Sequence, residues 1–99
     1  MHDEELASKV IEGFLLDIPR QIEALKGFVA AGDVEKARLQ AHSIKGAAAN
    51  VGGRALSEAA CNLEKAGRNG TVEAVAGLLP QLESQFARLQ HAMQAPHCP

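Results

Sequence analysis

Within Ala41–Gly53, "AHSIKGAAANVGG", a histidine and a lysine stand three residues apart beside a run of alanines and glycines. On a helix, residues three apart share a face, so His42 and Lys45 present an imidazole and an ammonium to the same volume. Imidazole, with an ordinary pKa of about 6.5, is largely neutral at pH 7 and therefore nucleophilic. An ammonium one turn along can meet negative charge on an incoming group. Arg38, one turn back, offers a second cation, although a charged residue at such a position ordinarily just solvates a helix face. Gly46 follows Lys45 directly. A mid-helix glycine costs about 1 kcal/mol against alanine, and the sequence uses alanine at each of the next three positions. Space in front of His42 is the reason that fits, with Ala49 also keeping that face low.

These residues need helices to position them. Strand signals are nearly absent, and apolar residues recur at helical spacing along most of the chain. The first run, Asp3–Ala30, carries Leu6, Val10, Phe14, Ile18, Ile22, Leu25 and Val29. Its stripe continues past Pro19, which predicts one long helix kinked there, with two shorter helices as the alternative. "AAGD" makes a turn, and Asp33 is suited to cap the second helix. That helix places Ala37, Ala41, Ile44, Ala48 and Val51 inward, a narrow stripe of mostly small residues, and "VGG" stops it. The third spans Arg54–Arg68, with Leu56, Ala59, Ala60, Leu63 and Ala66 inward. After "RNG", Thr71 caps a fourth that carries Val75, Leu79, Leu82, Phe86, Leu89 and Met93, where Pro80 should kink the helix or mark a restart. Four amphipathic helices with short connections predict an all-α, antiparallel up-down-up-down four-helix bundle over residues 1–94, with 95–99 ("APHCP" closes the chain) as a flexible tail.

At about 100° per residue, the inward stripe of the second helix leaves His42 roughly 140° away, with Arg38, Lys45, Gly46 and Ala49 within about 60° of it. His42 should be exposed, flanked by two cations and two minimal side chains. A lone exposed histidine is usually a surface residue. The glycine after Lys45, the small run and the terminal Gly-Gly are what raise this one above that reading.

The composition excludes several classes. The chain has 99 residues, 46% hydrophobic and 22% charged, with a net charge of -2; that is one ordinary globular domain and no nucleic-acid binder. Three Phe with no Tyr or Trp leave no base-stacking platform. Cys61 and Cys98 make no disulfide framework. No apolar run approaches the roughly 20 residues that span a bilayer, and no signal peptide is visible. Membrane contact is not expected, and a cytoplasmic monomer is.

The motif "AHSIKGAAANVG" resembles the signature of histidine-containing phosphotransfer (HPt) domains of multistep two-component signalling, H-x-x-K-G-x-x-x-x-x-G, matched here by His42, Lys45, Gly46 and Gly52. "FLLDIPRQIEALKGFVAAGD" looks like the family's preceding helix with its Pro, and "ALSEAACNLEKAGRNG" and "LLPQLESQFARLQ" look like the two that follow. The resemblance covers essentially the whole chain. It implies that His42 accepts a phosphoryl group from an aspartyl phosphate on one response-regulator receiver domain and passes it to another. Lys45 would steady the phosphate, and Gly46, with Arg38, Ala49 and Asn50 around it, would receive the docking partner. A sensor histidine kinase stands upstream in such relays, and the domain can be a module of a hybrid kinase or stand alone.

Phosphoryl transfer needs mainly alignment and charge neutralisation. The chain has no nucleotide-binding Gly-rich loop, and Asp3, Asp17 and Asp33 are not clustered for Mg²⁺. No intrinsic cofactor is expected; Mg²⁺ belongs on the receiver partner, and the chain reads as a phosphocarrier whose catalysis is supplied by that partner. Other constellations are weaker. His42 with His91, His97 and Cys98 lacks metal-ligand spacing. Ser43 is adjacent to His42 and points away from it. Asn50 suits either the docking rim or the helix end, and Glu64 with Arg68 reads as a simple i,i+4 pair. Two further functions remain open: the phosphorylated N-terminal domain of a chemotaxis-type histidine kinase, and a four-helix interaction module that is never phosphorylated.

Overall fold

A computed structural model describes residues 2–94, with side chains from residue 8 onward. Leu6 and the segment 95–99, with His97 and Cys98, lie outside the described side chains. The described residues form four helices: α1 (His2–Ala30), α2 (Val34–Asn50), α3 (Arg54–Arg68) and α4 (Val72–Gln94). No strand occurs among them.

The helix boundaries follow local chemistry. The Asp33 side chain accepts a hydrogen bond from the Lys36 amide at 3.1 Å, satisfying one of the free N–H groups at the start of α2. Thr71 Oγ1 does the same for the Ala74 amide at 3.3 Å ahead of α4. Gly52, at φ +75°, turns the chain between α2 and α3 through the left-handed region that side chains resist. α1 runs through Pro19 and α4 through Pro80 without a break, so the restart considered at Pro80 does not occur.

Each helix turns its apolar row inward. Phe14, Ile18, Ile22 and Leu25 of α1 meet Ala37, Ala41, Ile44 and Ala48 of α2, with Leu56, Ala59, Ala60 and Leu63 of α3 and Val75, Leu82 and Phe86 of α4 completing one core. Ala66, Leu79, Leu89 and Met93 pack half-buried at its margin. Val10 departs from its expected inward place and is 50% exposed. The reason is length. α2 has 17 residues against 29 in α1, and Gln40 Nε2 donates to Gln21 Oε1 at 2.9 Å, so α2 is spent before the first turns of α1 are reached.

The packing that matters for the site is α2 against α3, the most extensive in the bundle. Small residues make it close. A Cβ built on Gly67 would lie 2.9 Å from Arg38 Cβ, so glycine is what lets α3 press against α2 there. Further along, Ser57 Oγ donates to the Lys45 carbonyl at 3.2 Å.

Candidate functional site

His42 stands on the outer face of α2, its side chain 61% exposed. Its Nδ1 donates to Glu64 Oε2 on α3 at 2.9 Å. Lys45 Nζ donates to the other oxygen, Oε1, at 2.8 Å. Arg68 Nη2 reaches Oε2 at 3.2 Å from one turn along α3. One carboxylate therefore gathers an imidazole and two cations from two helices. It does so while only 3% of its side chain is exposed, and it is the sole buried charged residue among those described.

A buried carboxylate is costly unless it is paired and hydrogen-bonded. Here both oxygens are used. The hydrogen bond from Lys45 is the largest influence holding the Glu64 carboxyl below its ordinary value of 4.5; those from His42 and the attraction of both groups add to it, against a penalty from burial. Glu64 is thus an anion near neutrality and can only accept. In this contact Nδ1 is therefore the donor, and a neutral ring in that state has its lone pair on Nε2. With His42 neutral, Glu64, Lys45 and Arg68 leave one net positive charge beside the ring.

The other sequence candidates divide. Lys45 joins the histidine through Glu64. Gly46 is exposed, and a Cβ placed on it would meet nothing within 4 Å, so its space is open. Ala49 and Asn50 are exposed beyond it on the same helix. Arg38 is turned to other work: its Nε donates to Glu35 Oε1 at 3.2 Å, its Nη2 pairs with Glu35 Oε2, and its stem covers Gly67. Cys61 is a free, half-buried thiol on α3. Among the described residues, no group of three or more His, Cys, Asp or Glu is placed to hold a metal, and no helix is long and apolar enough to cross a membrane.

Glu64 and Arg68 are the site residues that sequence reasoning passed over as a local pair. A signal was present. At about 100° per residue, Glu64 falls in line with Ala60 and Gly67 on the buried flank of α3. An acid in a core row demands a partner, and His42 and Lys45 were polar groups already singled out on the preceding helix.

A family model described as "Hpt domain" matches residues 9–92 of the chain. No curated protein and no solved structure gave a match.

Proposed function

The chain belongs to the Hpt domain family, whose members carry out histidine phosphotransfer in phosphorelays with receiver domains and kinases, and from that membership we propose that His42 is its phosphoacceptor. It takes the group from an aspartyl phosphate on one receiver domain and yields it to another. The observation that carries this reading is the exposed imidazole whose Nδ1 is tied to a buried carboxylate; a neutral ring held in that way has its lone pair on Nε2.

In the transfer step the Nε2 lone pair forms the N–P bond as the P–O bond to the donor aspartate breaks, and the electron pair leaves with the aspartate carboxylate. The ring gains positive charge while keeping its Nδ1 proton. Glu64, already accepting that proton, stabilises the charge where it develops. Lys45 and Arg68 offset Glu64 and leave the neighbourhood cationic toward the phosphoryl oxygens. The reverse step runs through the same arrangement with a second receiver. Mg²⁺ would be supplied by the receiver to neutralise the acyl phosphate, and this chain would act as a phosphocarrier whose catalysis comes from that partner.

Gly46, Ala49 and Asn50 form the low part of the surface that a receiver covers, with Arg38 at its border although its guanidinium is engaged by Glu35. The bundle is read as antiparallel, up-down-up-down, with α1 bent at Pro19; the Gln21–Gln40, Lys45–Ser57 and Arg38–Gly67 meetings support the alternating course. We assign the domain to the cytoplasm, as a monomer that is free or tethered to a sensor kinase.

The test is direct. Incubation with a phosphorylated receiver should give acid-labile, base-stable phosphate on the chain. His42→Gln should abolish that label with helical circular dichroism unchanged. Persistent labelling of the variant would sink the assignment, and no label on the unaltered chain would leave only an interaction bundle.

A further inference from the structure

Three large hydrophobic side chains are notably exposed among the described residues: Val10 and Leu16 on α1, and Leu39 on α2. A single exposed leucine ordinarily needs no explanation. Leu39 differs by its place. It lies one turn before His42 on the same helix, about 60° around the axis from it and about 20° from Gly46. The inward positions nearest it, Ala37 and Ala41, are alanines. Apart from Ile44, α2 gives its core only alanines, and it turns a leucine, 52% exposed, toward the approach to the histidine.

Any protein that brings an acyl phosphate to Nε2 must cover this leucine. A specific interface takes about 800 Å² from each partner, which corresponds to a disc of about 16 Å radius. Residues three apart on a helix have Cβ atoms only about 5–6 Å apart. Leu39 consequently falls near the centre of a contact centred on His42, where a fully covered apolar side chain carries a large share of the binding energy. A polar side chain there would have to be stripped of water. The phosphoryl group itself cannot supply this contact, because it must leave again in the second half of the relay.

Beyond His42 the surface changes character. A hollow of about 490 Å³ opens between the end of α2 and the start of α3, lined by Ala49, Gly52, Arg54, Ser57 and Glu58. Ala49 is about 15 Å along the helix from Leu39. The histidine thus lies between a protruding leucine and a hollow bordered by Arg54 and Glu58, and that asymmetry of shape distinguishes one direction of docking from the other.

We propose that Leu39 is the apolar anchor of the receiver-docking surface, filling a recess on the receiver beside its phosphorylated aspartate and, with the hollow at Ala49–Glu58, fixing the receiver's orientation over His42. This rests on the phosphotransfer reading above. It assigns to Leu39 a positioning role in binding and none in the chemistry.

The test uses the whole chain and receiver domains from the genome that encodes it, each phosphorylated with acetyl phosphate; the receiver that transfers fastest to the unaltered chain is the probe. Leu39→Asp should lower kcat/KM for transfer at least tenfold, almost entirely through KM, and Leu39→Ala two- to fivefold. Leu16→Asp, the same change at a leucine 69% exposed on α1 and opposite its buried row, should change it less than twofold. Phosphoramidate, a small donor that needs no docking, should label His42 in Leu39→Asp at the unaltered rate, with the melting temperature kept. Unchanged receiver transfer in Leu39→Asp overturns the proposal, as does an equal loss in Leu16→Asp. A parallel fall in phosphoramidate labelling overturns it too, by showing that Leu39 shapes the helix. Failure of every receiver to phosphorylate the unaltered chain would instead overturn the phosphotransfer reading itself.

Discussion

Replacing Glu64 by glutamine tests the site with the least change of shape. The carboxylate accepts from His42 Nδ1 on one oxygen and from Lys45 on the other. An amide cannot do both. With its NH₂ toward His42, it donates to Nδ1, moves the ring proton to Nε2 and removes the nucleophilic lone pair. With its oxygen toward His42, it sets NH₂ against the Lys45 ammonium, donor against donor. Either arrangement gives up a charge-assisted hydrogen bond of about 1.5–3 kcal/mol. At about 1.4 kcal/mol per factor of ten in rate, the loss lies between roughly tenfold and a hundredfold. The ring is 61% exposed, so water replaces part of what is lost and the smaller end is expected. The assay is the rate of phosphoramidate labelling at pH 8, which isolates the histidine from docking, together with nitrogen-15 NMR to identify the protonated ring nitrogen. Labelling within twofold of the unaltered chain, with the proton still on Nδ1, would refute the claim that Glu64 sets the tautomer.

Gly46→Gln should keep the helix, slow transfer from a receiver and leave phosphoramidate labelling near normal, since the position is open; loss of folding would show that the glycine serves packing. Alanine at two glycines should move the melting temperature in opposite directions: up by as much as about 1 kcal/mol of stability at open Gly46, and down at Gly67, where the new Cβ would lie 2.9 Å from Arg38 Cβ and overpacking costs about 1–3 kcal/mol. Ile44→Asp, which buries an unpaired charge in the core, should cost several kcal/mol by denaturant unfolding, whereas Ala49→Ser should be nearly neutral. Because Glu64 titrates below 4.5 in the folded chain, its ionised form adds stability that is complete above that value and fades as acidification passes through the lowered one. The stability difference between the unaltered chain and Glu64→Gln should therefore be flat above about pH 5 and shrink below about pH 4; a difference that does not change across that window would show the carboxyl is not held ionised.

Local chemistry made most of the architecture legible. The Ala37, Ala41, Ile44, Ala48 row is wholly buried as its spacing requires, and Asp33 and Thr71 cap where their types suggest. His42, being outside that row, is exposed. Val10 failed because periodicity says which side of a helix is apolar and nothing about where the neighbouring helix ends. Glu64 failed for a related reason. Its partners are 22 and 19 residues away, and their meeting depends on how closely α3 approaches α2. Gly67 sets that distance from a position whose glycine gives no outward sign of its role.

The small residues around the histidine consequently act in two directions. Inward, the alanine row of α2 and Gly67 of α3 let two helices approach until a carboxylate rooted in one reaches the imidazole and ammonium of the other. Outward, Gly46 and Ala49 leave the imidazole standing above its surroundings. Neither would serve alone. Clearance without Glu64 would leave the ring free to place its proton on either nitrogen, and encounters with the Nε2-protonated tautomer would be unproductive. Glu64 without clearance would prepare a nucleophile that no second backbone could reach. The charges follow the same logic: a single buried anion would repel a phosphoryl group, and Lys45 with Arg68 reverses that sign locally without either cation leaving its carboxylate. The proposed carrier role would require this restraint, because a cation bound tightly to the phosphate would hold back a group that the next receiver must remove.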